Sequence, residues 1–177
     1  MKTSRFELPL PTAASSRKRV LVLGLGNDIL SDDAVGLLIV RELRQLLSEA
    51  DVIEVCETGE LGLSLLDYVV GFDELILVDA VQTGHAPPGW LHEFDGSDLK
   101  ALPTTSPHSL GVGEVLMLGQ LLGMSVPQRI RVFAVEVQDP YTLGTHLTPP
   151  LQAAFPGLVG QILAAARQPG RTLPCSQ

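Results

Sequence analysis

The stretch from Arg19 to Leu43, RVLVLGLGNDILSDDAVGLLIVREL, decides how the rest of the chain is read. Val20 to Leu23 is a short apolar run closed by a glycine turn, Gly24-Leu25-Gly26-Asn27, which is the pattern of a strand buried on both faces. After an acidic loop, Ala34 to Leu47 has helical periodicity. Val35, Leu38, Ile39, Glu42, Leu43 and Leu46 fall at i, i+3, i+4, i+7 spacing, with Glu42 the one polar break, so this stripe is expected to dock on the sheet. A strand, turn and helix in this order make one unit of an α/β layer. Two adjacent carboxylates, Asp32 and Asp33, lie at its carboxyl end, where ligands of α/β sheets gather. Acid there suits a metal or acid-base chemistry.

Working outward, strand-like runs at Val20 to Leu23, Val52 to Cys56, Glu74 to Val78 and Ile130 to Val135 alternate with helix-like runs. The helices are Ala34 to Leu47, Leu61 to Val70, Leu110 to Leu122 and Leu151 to Arg167. A shorter strand, Gly89 to Phe94, follows the turn-rich HAPPG and pairs either parallel or antiparallel. The alternation predicts a single-domain α/β three-layer sandwich: a twisted, mostly parallel sheet of about five strands with helices on both faces. Residues 1–18 read as a flexible leader, 19–167 as the domain and 168–177 as a flexible tail.

The chain has 177 residues and a net charge of −8, so it lacks the basic footprint of a nucleic-acid binder and would repel a polyanion. No run reaches the roughly 18 uncharged apolar residues that a membrane span needs. The opening MKTSRFELPLPTAASSRKR has no continuous apolar core of a secretory signal. Cys56 and Cys175 fit no metal or redox spacing. A reducing cytoplasm is therefore expected, and the acidic surface, with no long apolar seam in the sequence, argues for a monomer.

Each candidate residue has a plain structural role to set beside a functional one. The glycine turn does not complete G-x-G-x-x-G, because Ile29 stands where the third glycine belongs, and phosphate beside Asp32 and Asp33 would be repelled. A tight turn needing positive φ explains the glycines. Ser31 or Asp32 is expected as the helix N-cap, with Asp32 the better candidate, which leaves Asp33 to reach the crevice. Asp79 ends the strand ELILVD, where it either opens an Asx-turn or delivers a carboxylate to the crevice. His108, in TTSPHSLGVGEVLML, precedes a helix. The other histidines are weaker candidates: His85 and His92 flank a proline loop and a strand with no matching acid, and His146 sits in a late loop. Asp33, Asp79 and His108 are thus each expected at the same sheet edge, and two carboxylates with one imidazole suit Ni, Fe, Zn or Mn.

These segments resemble the nickel-iron hydrogenase maturation endopeptidases. The likeness covers roughly Arg19 to Ala166 and rests on VLGLGNDILSDDAVG, on LVDAVQTG with its following PG, on SPHSLG and on THLTP. It implies that Asp33, Asp79 and His108 bind metal. It further implies removal of a C-terminal extension from the hydrogenase large-subunit precursor after nickel is installed. The nickel then belongs to the substrate precursor and is the recognition signal, rather than a permanently held cofactor. Two departures are visible: Asp33 stands where some relatives have glutamate, and Ala34 where glycine is frequent.

The mechanism is less legible. There is no G-x-S-x-G elbow or H-E-x-x-H helix, and neither cysteine neighbours a base, so attack by water is expected. Asp33 or Asp79 would serve as ligand and base, and nickel would polarise the scissile carbonyl or the water. Asn27 either donates a hydrogen bond near the crevice or stabilises its turn. The loops ETGELG (Glu57 to Gly62) and VEVQDPYTLG (Val135 to Gly144) either grip the precursor or simply connect elements. A non-catalytic nickel-binding, chaperone-like maturation factor would use the same three ligands, and a nucleotide enzyme on a doubly wound sheet is opposed by the acidic loop.

Overall fold

The computed structural model describes residues 18–48, 50–60, 62–96 and 111–168. Five strands form one sheet: β1 (Val20–Leu25), β2 (Ile53–Thr58), β3 (Glu74–Val81), β4 (Leu91–Asp95) and β5 (Arg129–Glu136). Their order is β2-β1-β3-β5-β4. Four strands run parallel, and β4 is antiparallel to β5, with Leu91 opposite Val135 and Asp95 opposite Arg131. That settles the open pairing of the short strand. The strand starts two residues later than the expected Gly89 and ends one later than Phe94; just ahead of it the Gly89 N–H donates to the Glu136 carbonyl and the Trp90 carbonyl accepts the Glu136 N–H, each at 2.8 Å.

The helices are α1 (Val35–Leu46), α2 (Leu65–Val69), α3 (Val112–Leu121) and α4 (Pro149–Ala166). A three-residue 3-10 turn, Asp32–Ala34, leads directly into α1. One core holds Val20, Val22, Ile76 and Val78 of the sheet against Val35, Ile39 and Leu43 of α1 and Leu158 and Ile162 of α4. The other holds Leu21, Leu23, Leu75 and Leu77 against Leu65 and Leu66 of α2 and Val112 and Leu116 of α3. Alternate strand residues face opposite layers, which produces the expected three-layer sandwich.

The stripe expected on α1 is rotated. Val35, Ile39 and Leu43 are buried as anticipated, but Leu46 and Glu42 face solvent, while Gly36, Leu37 and Val40 are buried instead. The cause is close contact between helix and sheet. A methyl group on Gly24 would collide with the backbone of Gly36, and one on Gly36 would collide with the carbonyls of Leu25 and Val78. The helix therefore lies on bare backbone at this point. Gly36 performs the packing that the missing third glycine of the dinucleotide pattern would have performed.

The surface expectation also needs correction. The outer face of α3 exposes Met117, Leu118, Leu121 and Leu122, so an apolar seam does exist. Among the described residues, no helix is long and apolar enough to cross a membrane.

Candidate active site

β1 ends at Leu25 and the chain turns on Gly26, whose φ of 147° is open to glycine and strained for other residues. A side chain there would also collide with the carbonyl of Asp33. The turn is held by Asn27, whose side-chain oxygen accepts the Ile29 N–H at 3.2 Å while its carbonyl accepts that of Leu30 at 3.1 Å. Asn27 is thus a turn residue, and it also lines a cavity of about 420 Å³ with Asp28, Arg41, Glu57, Thr58 and Gly59. Arg41 spans that cavity's edge, 2.8 Å from Glu57 and 3.4 Å from Asp28. Glu57, Thr58 and Gly59 of the ETGELG segment therefore line this cavity, whose walls include neither Asp33 nor Asp79.

Asp32 does not cap the helix. The N-cap position of the 3-10 turn belongs to Ser31, which makes no side-chain cap bond; its hydroxyl donates to the carbonyl of His146 at 2.7 Å. The fully buried Asp32 carboxylate instead accepts four hydrogen bonds from the β5–α4 connection. They come from the N–H of Gln138 and of Asp139, each at 3.0 Å, and from the N–H and hydroxyl of Thr148, at 2.7 and 2.8 Å. The pair of acids thus divides: Asp32 is saturated by a distant loop, while Asp33, 6% exposed, takes no part in those four bonds. Ala34 has φ of −70°, an ordinary right-handed conformation, so nothing there requires glycine.

Asp79 does not end its strand, since β3 continues through Ala80 to Val81. The pairing with β1, however, stops at Gly24 opposite Val78. Asp79 is therefore the first β3 residue beyond its β1 neighbour, although β5 still pairs with it through Ala134. By alternation its side chain leaves on the same face as Leu75 and Leu77, the face covered by α2 and α3. It is 1% exposed, and its Oδ1 accepts the N–H of Ala80 at 2.9 Å.

His108 lies outside the described residues, three positions before Gly111 at the N-cap of α3. Among the described residues, no three His, Cys, Asp or Glu side chains gather as metal ligands. The fold places Asp33 and Asp79 at one sheet edge. Two buried carboxylates there are oxygen donors of a kind that suits a divalent cation.

Reading the sequence missed a further buried carboxylate at this edge. Glu136 ends β5 and accepts the N–H groups of Thr83 and Gly84, each at 2.8 Å, and the Thr83 hydroxyl at 2.7 Å. His92 is 3.0 Å from it, so the expectation that His92 has no matching acid is wrong; the partner comes from the neighbouring strand. Burial pushes the Glu136 carboxyl up, but the donors Thr83, Gly84 and His92 outweigh it and hold it below the usual glutamate range. The loop after β3 is thereby fixed just beyond Asp79. Only the strand-end position of Glu136 in VEVQD hinted at this.

A three-layer sheet with buried acids at the carboxyl edge defines a class of α/β enzyme site. A family profile described as hydrogenase maturation protease matches residues 37–165, and the chain belongs to that family. It is 35% identical over 156 residues to the hydrogenase 2 maturation protease of Escherichia coli K12, spanning 86% of this chain and 93% of that one. Its fold is similar to the solved structure of the maturating endopeptidase HybD from E. coli, with a TM-score of 0.73 and 31% identity over 86% of this chain and 94% of the other. It is also similar to the [NiFe] hydrogenase maturation protease HybD of Thermococcus kodakarensis, with a TM-score of 0.68 and 25% identity over 84% and 99% of the two chains. The protein is accordingly a peptidase of hydrogenase maturation.

Proposed function

We propose that this peptidase removes the C-terminal extension of a [NiFe] hydrogenase large-subunit precursor, and that it does so only after nickel has been installed there. The observation that carries the reading is the placement of Asp33 and Asp79, both buried and both at the carboxyl edge of the sheet, in a chain of the maturation protease family. Together with His108 they would complete the coordination shell of the precursor's nickel. The metal is then part of the substrate, and the protein holds none between turnovers. Bound there, the precursor's nickel would supply a Lewis acid for the scissile carbonyl or the attacking water, and Asp33 or Asp79 would serve as both ligand and base. The reaction belongs in the cytoplasm, where the precursor is made.

The test is an intact-mass time course of purified precursor, with and without nickel, mixed with this protein and with its Asp33→Ala and His108→Ala variants. Loss of a C-terminal fragment from the loaded precursor alone, and with the unmodified protein alone, is the expected result. Retained binding with no mass change from a matched precursor would make the protein a nickel-sensing maturation factor without peptidase activity toward it.

A further inference from the structure

β2 lies at one end of the sheet, and its outer side is a row of open backbone groups. The Val20 N–H donates to the Val52 carbonyl at 3.2 Å, and the register runs without a break from Val20 opposite Ile53 to Leu25 opposite Thr58. Backbone groups of successive strand residues point to opposite sides, so Glu54, Cys56 and Thr58 bond toward β1 while Ile53, Val55 and Glu57 face outward. Among the described residues, no backbone group pairs with those three. The usual protections of an edge are missing as well: IEVCET has no proline, no lysine and no bulge. The strand at the other end, β4, is different. Gly89, at φ of 88°, and Trp90 both bond to Glu136, two residues against one, which is a glycine bulge that breaks the regular pairing.

The side chains around this edge indicate what pairs with it. Arg19 and Arg41 are each held by an acid of β2, Glu54 at 2.9 Å and Glu57 at 2.8 Å. Arg44, exposed on α1, reaches over the middle of the strand to the Val55 carbonyl at 3.4 Å and, among the described residues, pairs with no acid. An added strand that carries a carboxylate satisfies that cation. A second copy of this chain does not: two β2 edges joined antiparallel about Val55 would set both Arg44 side chains on one face, where like charges repel. A peptidase, by contrast, takes an extended polypeptide, whose own N–H and C=O groups need partners on binding. At its carboxyl end β2 also leads somewhere. Glu57, Thr58 and Gly59 enter the wall of the cavity of about 420 Å³, Gly26 lies in that wall too, and Gly26 packs against the backbone of Asp33.

We infer that the outer edge of β2 receives an extended, carboxylate-bearing stretch of the hydrogenase precursor as an added strand, with Ile53, Val55 and Glu57 bonding to its backbone and Arg44 to its carboxylate. The inference rests on the proposed precursor reading and adds how the polypeptide is held. Main-chain bonds supply the grip and are indifferent to sequence, whereas Arg44 selects where along the precursor the carboxylate must fall.

The experiment is hydrogen–deuterium exchange read amide by amide, in the free protein and with nickel-loaded precursor bound, alongside dissociation constants and intact-mass kinetics. Exchange is expected to slow about tenfold or more at Ile53, Val55 and Glu57 and to stay unchanged at Glu54, Cys56 and Thr58, which β1 already protects. Val55→Pro removes one outward donor and leaves the bonds to β1 in place, so it should weaken precursor binding about tenfold. Arg44→Ala should weaken it about threefold and flatten its salt dependence, and Arg44→Lys should recover part of the loss. If Val55→Pro does not fold, the exchange pattern of the unmodified protein decides. Precursor binding with no slowing at the three outward amides overturns the docking edge. So does slowing that appears in the free protein as its concentration rises, which makes the occupant a second copy, and so does protection in the free protein at every concentration, which makes it a segment of this chain. Precursor that slows these amides yet is never shortened counts against nickel-gated cleavage alone. Precursor shortened at the normal rate with no change along β2 counts against the edge alone.

Discussion

Asp32 and Thr148 are joined twice: the threonine N–H reaches the carboxylate at 2.7 Å and its hydroxyl at 2.8 Å, across 116 residues of sequence. Asp32→Ala leaves both of these donors and the N–H groups of Gln138 and Asp139 without a buried acceptor. A loss of about 3–5 kcal/mol is expected, the usual cost of removing one partner from a buried charged network. Urea unfolding monitored by circular dichroism reads it directly.

Asp33→Asn is expected to behave differently from its neighbour. It keeps the shape of a buried side chain but removes the charge proposed to meet nickel, so processing of loaded precursor should fall by about a hundredfold, the upper end of what losing even a group that supports a ligand costs a metal site. A variant that shortened the precursor at the normal rate would remove Asp33 from the site.

At Gly36 the expected defect is steric. An alanine methyl would meet the carbonyls of both Leu25 and Val78, and neither can retreat without disturbing the sheet. Gly36→Ala should cost about 2–3 kcal/mol, the range for overpacking, and because α1 carries the Asp33 turn, processing should fall with it. Thermal melts alongside intact-mass assays separate the two losses.

Glu136 makes part of the site sensitive to acid. Its folded-state carboxyl lies below the ordinary value of about 4.3, so its contribution to stability is present above that value and is lost as the pH falls through the lower, folded one. Amide exchange at Thr83 and Gly84, which donate to Glu136, should accelerate over that window. In Glu136→Gln the acid dependence at these two amides should disappear.

The opposite end of the sheet holds a buried ion pair, Arg131 with Glu74 at 2.7 Å, and Arg131 also donates to the Ala165 carbonyl at 2.8 Å. Arg131→Met should cost about 3–5 kcal/mol by leaving the buried glutamate with the more distant Arg129, at 3.7 Å, and Arg131→Met combined with Glu74→Leu should recover most of it. Denaturant midpoints for the single and double variants test this, and processing should be affected only through stability.

The sequence by itself determined the order of the elements, the parallel sheet with helices on both faces and the segments that reach its carboxyl edge. Those features follow from periodicity and turn chemistry, which act over a few residues and are legible in RVLVLGLGNDILSDDAVG and LVDAVQTG. Only the tertiary structure decided which of two adjacent aspartates is scaffold. Side chains on neighbouring residues of a 3-10 turn diverge by roughly a third of a turn, and the donors that claim Asp32 come from 106 to 116 residues away. The same limit hid the contact of Gly24 with Gly36 and the pairing of His92 with Glu136 across two strands. Each depends on how separate elements lie against one another, and no local pattern encodes that.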